Sequence, residues 1–72
     1  MLKTFWTVKR AIIGGEPANV YFEDYQSAKE YARRDYCDKP IKHTVKPETY
    51  TALEYIGAFE YGMSAAKGGG EL

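Results

Sequence analysis

Two side chains in this sequence have the chemistry of a nucleophile and a base: the thiol of Cys37 and, a few residues on, the imidazole of His43. Acyl or group transfer by such a pair needs a third group to orient the base and an oxyanion-stabilising motif, and neither accompanies them. Cys37 therefore reads as small packing material at a helix end, and His43 as a half-buried strand histidine. A closed zinc site needs about four ligands, and no cluster of His, Cys, Asp and Glu supplies them. Gly14-Gly15 lacks both the spacer and Lys-Ser/Thr of a phosphate loop and the dinucleotide fingerprint, so it reads as a turn. The acid pairs Glu23-Asp24 and Asp35/Asp38 read as capping and solvated charge. The expectation is a protein without catalytic residues, metal site or cofactor, and not an enzyme.

What remains is binding chemistry. Positive charge gathers in Lys3, Lys9 and Arg10, in Arg33 and Arg34, and in Lys39, Lys42 and Lys46. The 10 basic residues are balanced by 10 acidic ones, a formal net charge of zero. That balance disfavours a domain that grips nucleic acid by neutralising many phosphates, so no direct nucleic-acid contact is expected. Seven tyrosines in a chain of this length stand out. Tyrosine brings large contact area with few rotors to freeze, which suits interfaces, while a small core also uses such rings as filler. Both uses are expected. Aromatic side chains near Lys and Arg also suit stacking on single-stranded bases, but the neutral charge favours a protein partner. Lys9, Arg10, Lys42 and Lys46 are the expected partner-binding residues, because they fall on strands whose edges or open faces stay accessible.

These groups must be positioned by a small scaffold. With 72 residues the chain has room for one domain, and a chain this short buries only about 60% of its unfolded surface. Apolar residues make up 44% and aromatics 15%, too much for a disordered chain. A single cysteine cannot form an internal disulfide, which points to a reducing compartment and excludes a disulfide-stapled miniprotein. No apolar run is long enough to span a bilayer, and the first residues do not resemble a signal peptide. A monomer in the cytoplasm, without membrane contact, is the expectation.

Along the chain, Thr4 to Ile13 is rich in β-branched and aromatic residues, with Trp6 and Val8 on one side and Phe5 and Thr7 on the other. Gly14-Gly15-Glu16-Pro17 reverses it, and Asn19 to Glu23 alternates again, which predicts a β-hairpin. Asp24 stands at an N-cap position, and Tyr25, Ala28, Tyr31, Ala32 and Tyr36 recur at helical spacing up to the break at Lys39-Pro40. Ile41, His43 and Val45 alternate with Lys42, Thr44 and Lys46 in a half-exposed strand halted by Pro47. From Glu48 to Tyr61 the signals conflict. Pro47-Glu48 opens a helix, yet Thr49-Tyr50-Thr51 and Tyr55-Ile56 prefer a sheet, and a fourth strand is favoured. Gly62 to Leu72, with its glycine run, predicts a flexible tail. The fold class is α+β, ββαβ with a possible further strand, one domain over residues 1–61 with a tail over 62–72. Its helix lies on one sheet face over a core of Trp6, Val8, Val20, Phe22, Ala28, Ala32 and Val45.

The order Lys3-Thr4-Phe5-Trp6-Thr7-Val8, Tyr21-Phe22-Glu23-Asp24, Ala28 and Ala32 to Tyr36, and Thr44-Val45-Lys46-Pro47 resembles the small phage-encoded inhibitors of host bacterial RNA polymerase made by lytic podoviruses. Those proteins share a Lys-x-Phe-Trp strand start, a Tyr-x-Glu approach to an Ala-rich helix and a closing strand ending Val-Arg-Pro. The match covers roughly residues 3 to 47. The resemblance implies a viral host-takeover protein that docks on the largest polymerase subunit in the host cytoplasm and blocks initiation, using a basic residue of the closing strand. Lys46 stands at that arginine position, while Thr44 replaces the arginine two residues earlier. A parallel class, the small transcription regulators of phages such as those of Xanthomonas, also alters termination. The chain also resembles in part some anti-CRISPR proteins that obstruct a crRNA-guided surveillance complex, through the partial match Ser27-Ala28-Lys29 and the Thr44-Val45 strand. A single-stranded nucleic-acid binder is the remaining alternative.

Overall fold

A computed structural model describes residues 1–67. The chain runs β1 (Lys3–Arg10), β2 (Ala18–Phe22), α1 (Tyr25–Ala32), β3 (Ile41–Val45), α2 (Pro47–Tyr55) and α3 (Ala58–Lys67). It is an α+β fold whose three strands form one antiparallel sheet in the order β2-β1-β3. The hairpin turns at the expected glycines. Gly14 takes φ 78°, a left-handed conformation that glycine adopts without a Cβ clash, and the Gly15 N–H donates to the Ile12 carbonyl at 3.2 Å.

Helix α1 starts as its sequence requires. Asp24 is the N-cap, and its carboxylate accepts from both the N–H and the hydroxyl of Ser27 at 2.9 Å. The helix ends sooner than its tyrosine spacing predicts. Arg33 is its C-cap, and Tyr36 lies outside it at φ 71°, with its side chain exposed. The early stop has a tertiary cause: at this position the Tyr36 carbonyl accepts from the Ala11 N–H at 2.8 Å, tying the segment after α1 to the end of β1.

Both faces of the sheet are covered, where one was expected. On the first, Trp6 pairs with Phe22 and Val8 with Val20, and α1 closes over them with Ala28 and Tyr31 to form the main core. On the second, Phe5 pairs with His43, and Phe59 and Tyr50 pack edge-on against the Phe5 ring at 5.8 and 6.5 Å. Phe5, Thr7 and Phe59 are all buried. Each phenylalanine so buried contributes about 1.5–3 kcal/mol, so the second face is a substantial part of the fold. Of the expected core, Val8, Val20, Phe22 and Ala28 are buried. Trp6, Ala32 and Val45 are only half-buried, Trp6 lying against Tyr25 with ring centroids 4.7 Å apart. Phe5, Tyr31 and Phe59 are buried as well.

The expected fourth strand is instead two helices. Pro47 takes the first turn of α2, where its missing N–H costs nothing, and Glu48 complements the positive end of the helix dipole. Gly57, at φ 75°, then ends α2 with its N–H donating to the Glu54 carbonyl at 3.0 Å. The β propensity of Thr49-Tyr50-Thr51 loses to this start and stop and to the stacking of Tyr50 on Phe59, with centroids 5.0 Å apart.

The tail boundary also moves. Residues 62–67 belong to α3, and the expected tail over 68–72 lies outside the described residues. α3 packs along β2 and reaches α1. Gly62 makes that approach possible, because a Cβ there would overlap the Tyr21 carbonyl oxygen and crowd the Phe22 ring. A glycine inside a helix costs about 1 kcal/mol in propensity, and here it lets the helix lie against the strand backbone.

Candidate partner-binding surfaces

The four expected partner-binding residues do not form one patch. Successive strand residues project to opposite faces, so Lys9 points to the Phe5 and Thr7 face and Arg10 to the Trp6 and Val8 face. Lys42 pairs with Trp6 and stands beside it on β3, while Arg10 lies about 13 Å further along β1 at the usual strand rise. Lys46 is the exposed N-cap residue of α2. Two separate surfaces result, one around Arg10 and one along the outer edge of β3 with Lys42 and Lys46, and Lys9 belongs to neither.

The first surface is an open groove of about 850 Å³ between the end of β1 and the end of α1. Three arginines line it: Arg10 from β1, Arg33 from the C-cap of α1 and Arg34 from the residue after it. Arg10 Nη1–H donates to the Tyr31 hydroxyl at 3.2 Å, and the Arg34 guanidinium lies 4.8 Å from the centroid of the same ring. Tyr31 is itself buried, so one fixed ring holds both cations in place. The hydrogen bond to Tyr31 raises the Arg10 pKa above its ordinary value. Ile12, Ile13 and Tyr36 stand exposed at its rim.

The groove is built by long-range pairing. Ala11 bonds to Tyr36, the Asp38 N–H donates to the Lys9 carbonyl at 2.9 Å, and Arg10 bridges Cys37. From the pair of Thr7 with Ile41 to that of Arg10 with Cys37, β1 advances three residues and its partner four. The additional residue between Cys37 and Ile41 interrupts the regular register, as a bulge does. Burial pushes the Cys37 thiol pKa up, with Arg10 and Arg34 pulling the other way and Asp38 adding to the rise. A protonated thiol is the reverse of an activated nucleophile.

The second surface is the outer edge of β3. Lys42, Thr44 and Lys46 are exposed there, and His43 turns inward. His43 stacks on Phe5 at 4.8 Å, and its Nε2 lies 2.7 Å from the Thr7 hydroxyl, which is the half-buried structural role its position on the strand predicts. Among the described residues, no group of three His, Cys, Asp or Glu side chains is placed to hold a metal ion. No described helix is long and apolar enough to cross a membrane.

The sequence marks Arg33 and Arg34 as a basic pair but does not join them to Arg10. That meeting follows from the early end of α1 and the bridge to Cys37. Only the crowding of basic residues on either side of the Asp35–Pro40 break hints at it. Comparisons with known protein families, curated proteins and solved structures find no match for this chain.

Proposed function

We propose that this chain is a docking protein that acts by occupying a partner's surface, and that the partner is bacterial RNA polymerase, engaged in the host cytoplasm by a phage-encoded inhibitor or regulator of transcription. The observation that carries the docking half of this reading is the groove of Arg10, Arg33 and Arg34 rimmed by Ile12, Ile13 and Tyr36. Arginine and aromatic side chains with exposed apolar neighbours are the composition of protein interfaces, and a guanidinium offers paired donors to a carboxylate. The polymerase half rests on the resemblance of the strand, helix and closing-strand motifs. Binding of this kind blocks initiation by excluding other factors or by holding the enzyme in one conformation, with no bond made or broken by the docking protein.

The test is retention of purified bacterial polymerase on the immobilised protein, with a promoter transcription assay alongside. Retention and loss of transcript are expected from the parent chain. Reversing Arg10 and Arg34 together to glutamate is expected to weaken retention by at least about tenfold, since fixed charges of an interface then oppose the partner's carboxylates. Lys46→Glu reports separately on the closing strand, and the resemblance implies weaker retention with an almost unchanged Tm. No retention by the parent chain would overturn the polymerase reading.

A further inference from the structure

The two outer edges of the sheet are finished differently. β2 is closed by α3, which lies against the Tyr21 backbone at Gly62. Among the described residues β3 pairs with β1 on one side only, and the hydrogen-bonding pattern shows which of its backbone groups are left over.

In an antiparallel ladder the N–H and C=O of a residue point together to one neighbouring strand, and the next residue's point to the other. The Lys9 carbonyl and the Ala11 N–H both bond to the segment preceding β3. The odd-numbered residues of β1 therefore face β3, so Lys3, Phe5 and Thr7 exchange hydrogen bonds with Val45, His43 and Ile41. The Tyr21 carbonyl, directed at Gly62 and away from β1, independently fixes the same alternation. It follows that the backbone N–H and C=O groups of Lys42 and Thr44 point outward, and no backbone hydrogen bond from another described residue reaches them.

We propose that this edge is a docking site for an extended, acidic segment of another protein, which adds to the sheet as a fourth strand beside β3. The backbone groups of Lys42 and Thr44 supply the ladder, and the side chains supply the selectivity. On one face Lys42 and Thr44 are exposed, and Lys46 follows them in an extended conformation at φ −67° and ψ 151°. On the other face lie Ile41, His43 and Val45, with Ile41 48% exposed. An added strand that alternates acidic and apolar residues places its carboxylates beside the lysines and its apolar side chains beside Ile41 and Val45. A second copy of the chain is a poor occupant. β3 contains no acid, and an antiparallel β3–β3 pair would crowd Lys42 and Lys46 of both copies on one face. Pro40 and Pro47 bound the site on either side, which limits the added strand to a short segment.

This inference stands whether or not polymerase is the partner, and it is tested without polymerase. The probe is a short synthetic peptide alternating glutamate and valine, blocked at both ends, titrated into the isotope-labelled protein and followed by amide hydrogen exchange. In the free protein the Lys42 and Thr44 amides are expected to exchange faster than those of Ile41 and His43. With the acidic peptide bound they slow by at least about tenfold, and a control peptide with lysine in place of glutamate leaves them unchanged. Thr44→Pro removes one outward N–H without touching the β1 ladder, and Lys42→Glu reverses the charge. Each is expected to abolish the slowing while the amide spectrum stays folded. Four outcomes would overturn the proposal: slow Lys42 and Thr44 amides in the free protein, peptide-induced changes confined to the arginine groove, slowing that grows with protein concentration alone, and slowing by a single-stranded oligonucleotide in place of the peptide.

Discussion

The β2 edge and the β3 edge belong to the same sheet and share the central strand, yet one is buried under a helix and the other faces outward. The difference comes from two local choices. At the β2 edge, Gly62 removes the Cβ that would hold α3 away from the Tyr21 carbonyl. At the β3 edge, Pro40 and Pro47 bound a five-residue strand that carries a lysine, devices that discourage unwanted pairing while leaving the edge open. A small domain thus uses one edge to enlarge its core and leaves the other open.

The largest expected effect breaks the closed edge. In an exposed helix, glycine to alanine gains about 1 kcal/mol from propensity. At Gly62 the sign reverses, because the new methyl would overlap the backbone of β2. Gly62→Ala is expected to cost roughly 3 kcal/mol, at the upper end for overpacking, and to expose the Phe59 side of the sheet. Chemical denaturation measures the first, and hydrogen exchange of the β2 amides the second. A stabilised variant would show that α3 does not seal this edge.

That constraint explains why the second half of the chain was the harder half to read. The hairpin, the Asp24 cap and the alternation of β3 are signals contained within a few residues, and each was legible. Gly62 looked like loop material because what it accommodates, the Tyr21 carbonyl, is distant in sequence. Thr49-Tyr50-Thr51 looked like strand because propensity speaks for the isolated segment, whereas Tyr50 is held by Phe59 and Phe5. The helix boundaries were nonetheless written in Pro47 and Gly57, a start and a stop that outweigh the residues between them. For the candidate surfaces, Lys42 could be placed on a strand with an accessible edge from alternation alone, whereas Lys46, expected on the same strand, lies one residue past it as the N-cap of α2. The joining of Arg10 to Arg33 and Arg34 could not be read this way, because it depends on the bridge of Arg10 to Cys37 and on where α1 ends.

A moderate effect sharpens the contrast inside the covered face. Thr7 is buried and its hydroxyl partners His43 at 2.7 Å, a side-chain hydrogen bond from β1 to β3. Thr7→Val keeps the shape and removes the hydrogen bond, with an expected cost of about 1 kcal/mol by denaturation. On the open edge, Lys42→Glu is expected to change stability by less than about 0.5 kcal/mol, as for an ordinary surface position. Equal losses at the two positions would mean that the outer edge is part of the packed fold and not a free surface.

The smallest effect is electrostatic and appears only in alkali. Burial pushes the Tyr50 phenol above its ordinary value of 10.0, and the nearby carboxylates of Glu23 and Glu54 add to the rise. The folded chain therefore holds this proton more tightly than the unfolded chain. Its contribution to stability is complete below the unfolded pKa and is lost as the pH rises through the folded one. Cys37, in the arginine groove, is raised from a lower starting value of 9.0, chiefly by burial, so its share of the loss begins earlier. Thermal midpoints measured from neutral pH upward are expected to fall in two stages. Cys37→Ser should remove the earlier stage and Tyr50→Phe the later one. If Tyr50→Phe and the parent chain lose stability in parallel above the ordinary tyrosine pKa, the ring is as well solvated in the folded state as in the unfolded one. The layer joining α2 to Phe59 would then be looser than the α1 layer, where Tyr31 is held beneath two arginines.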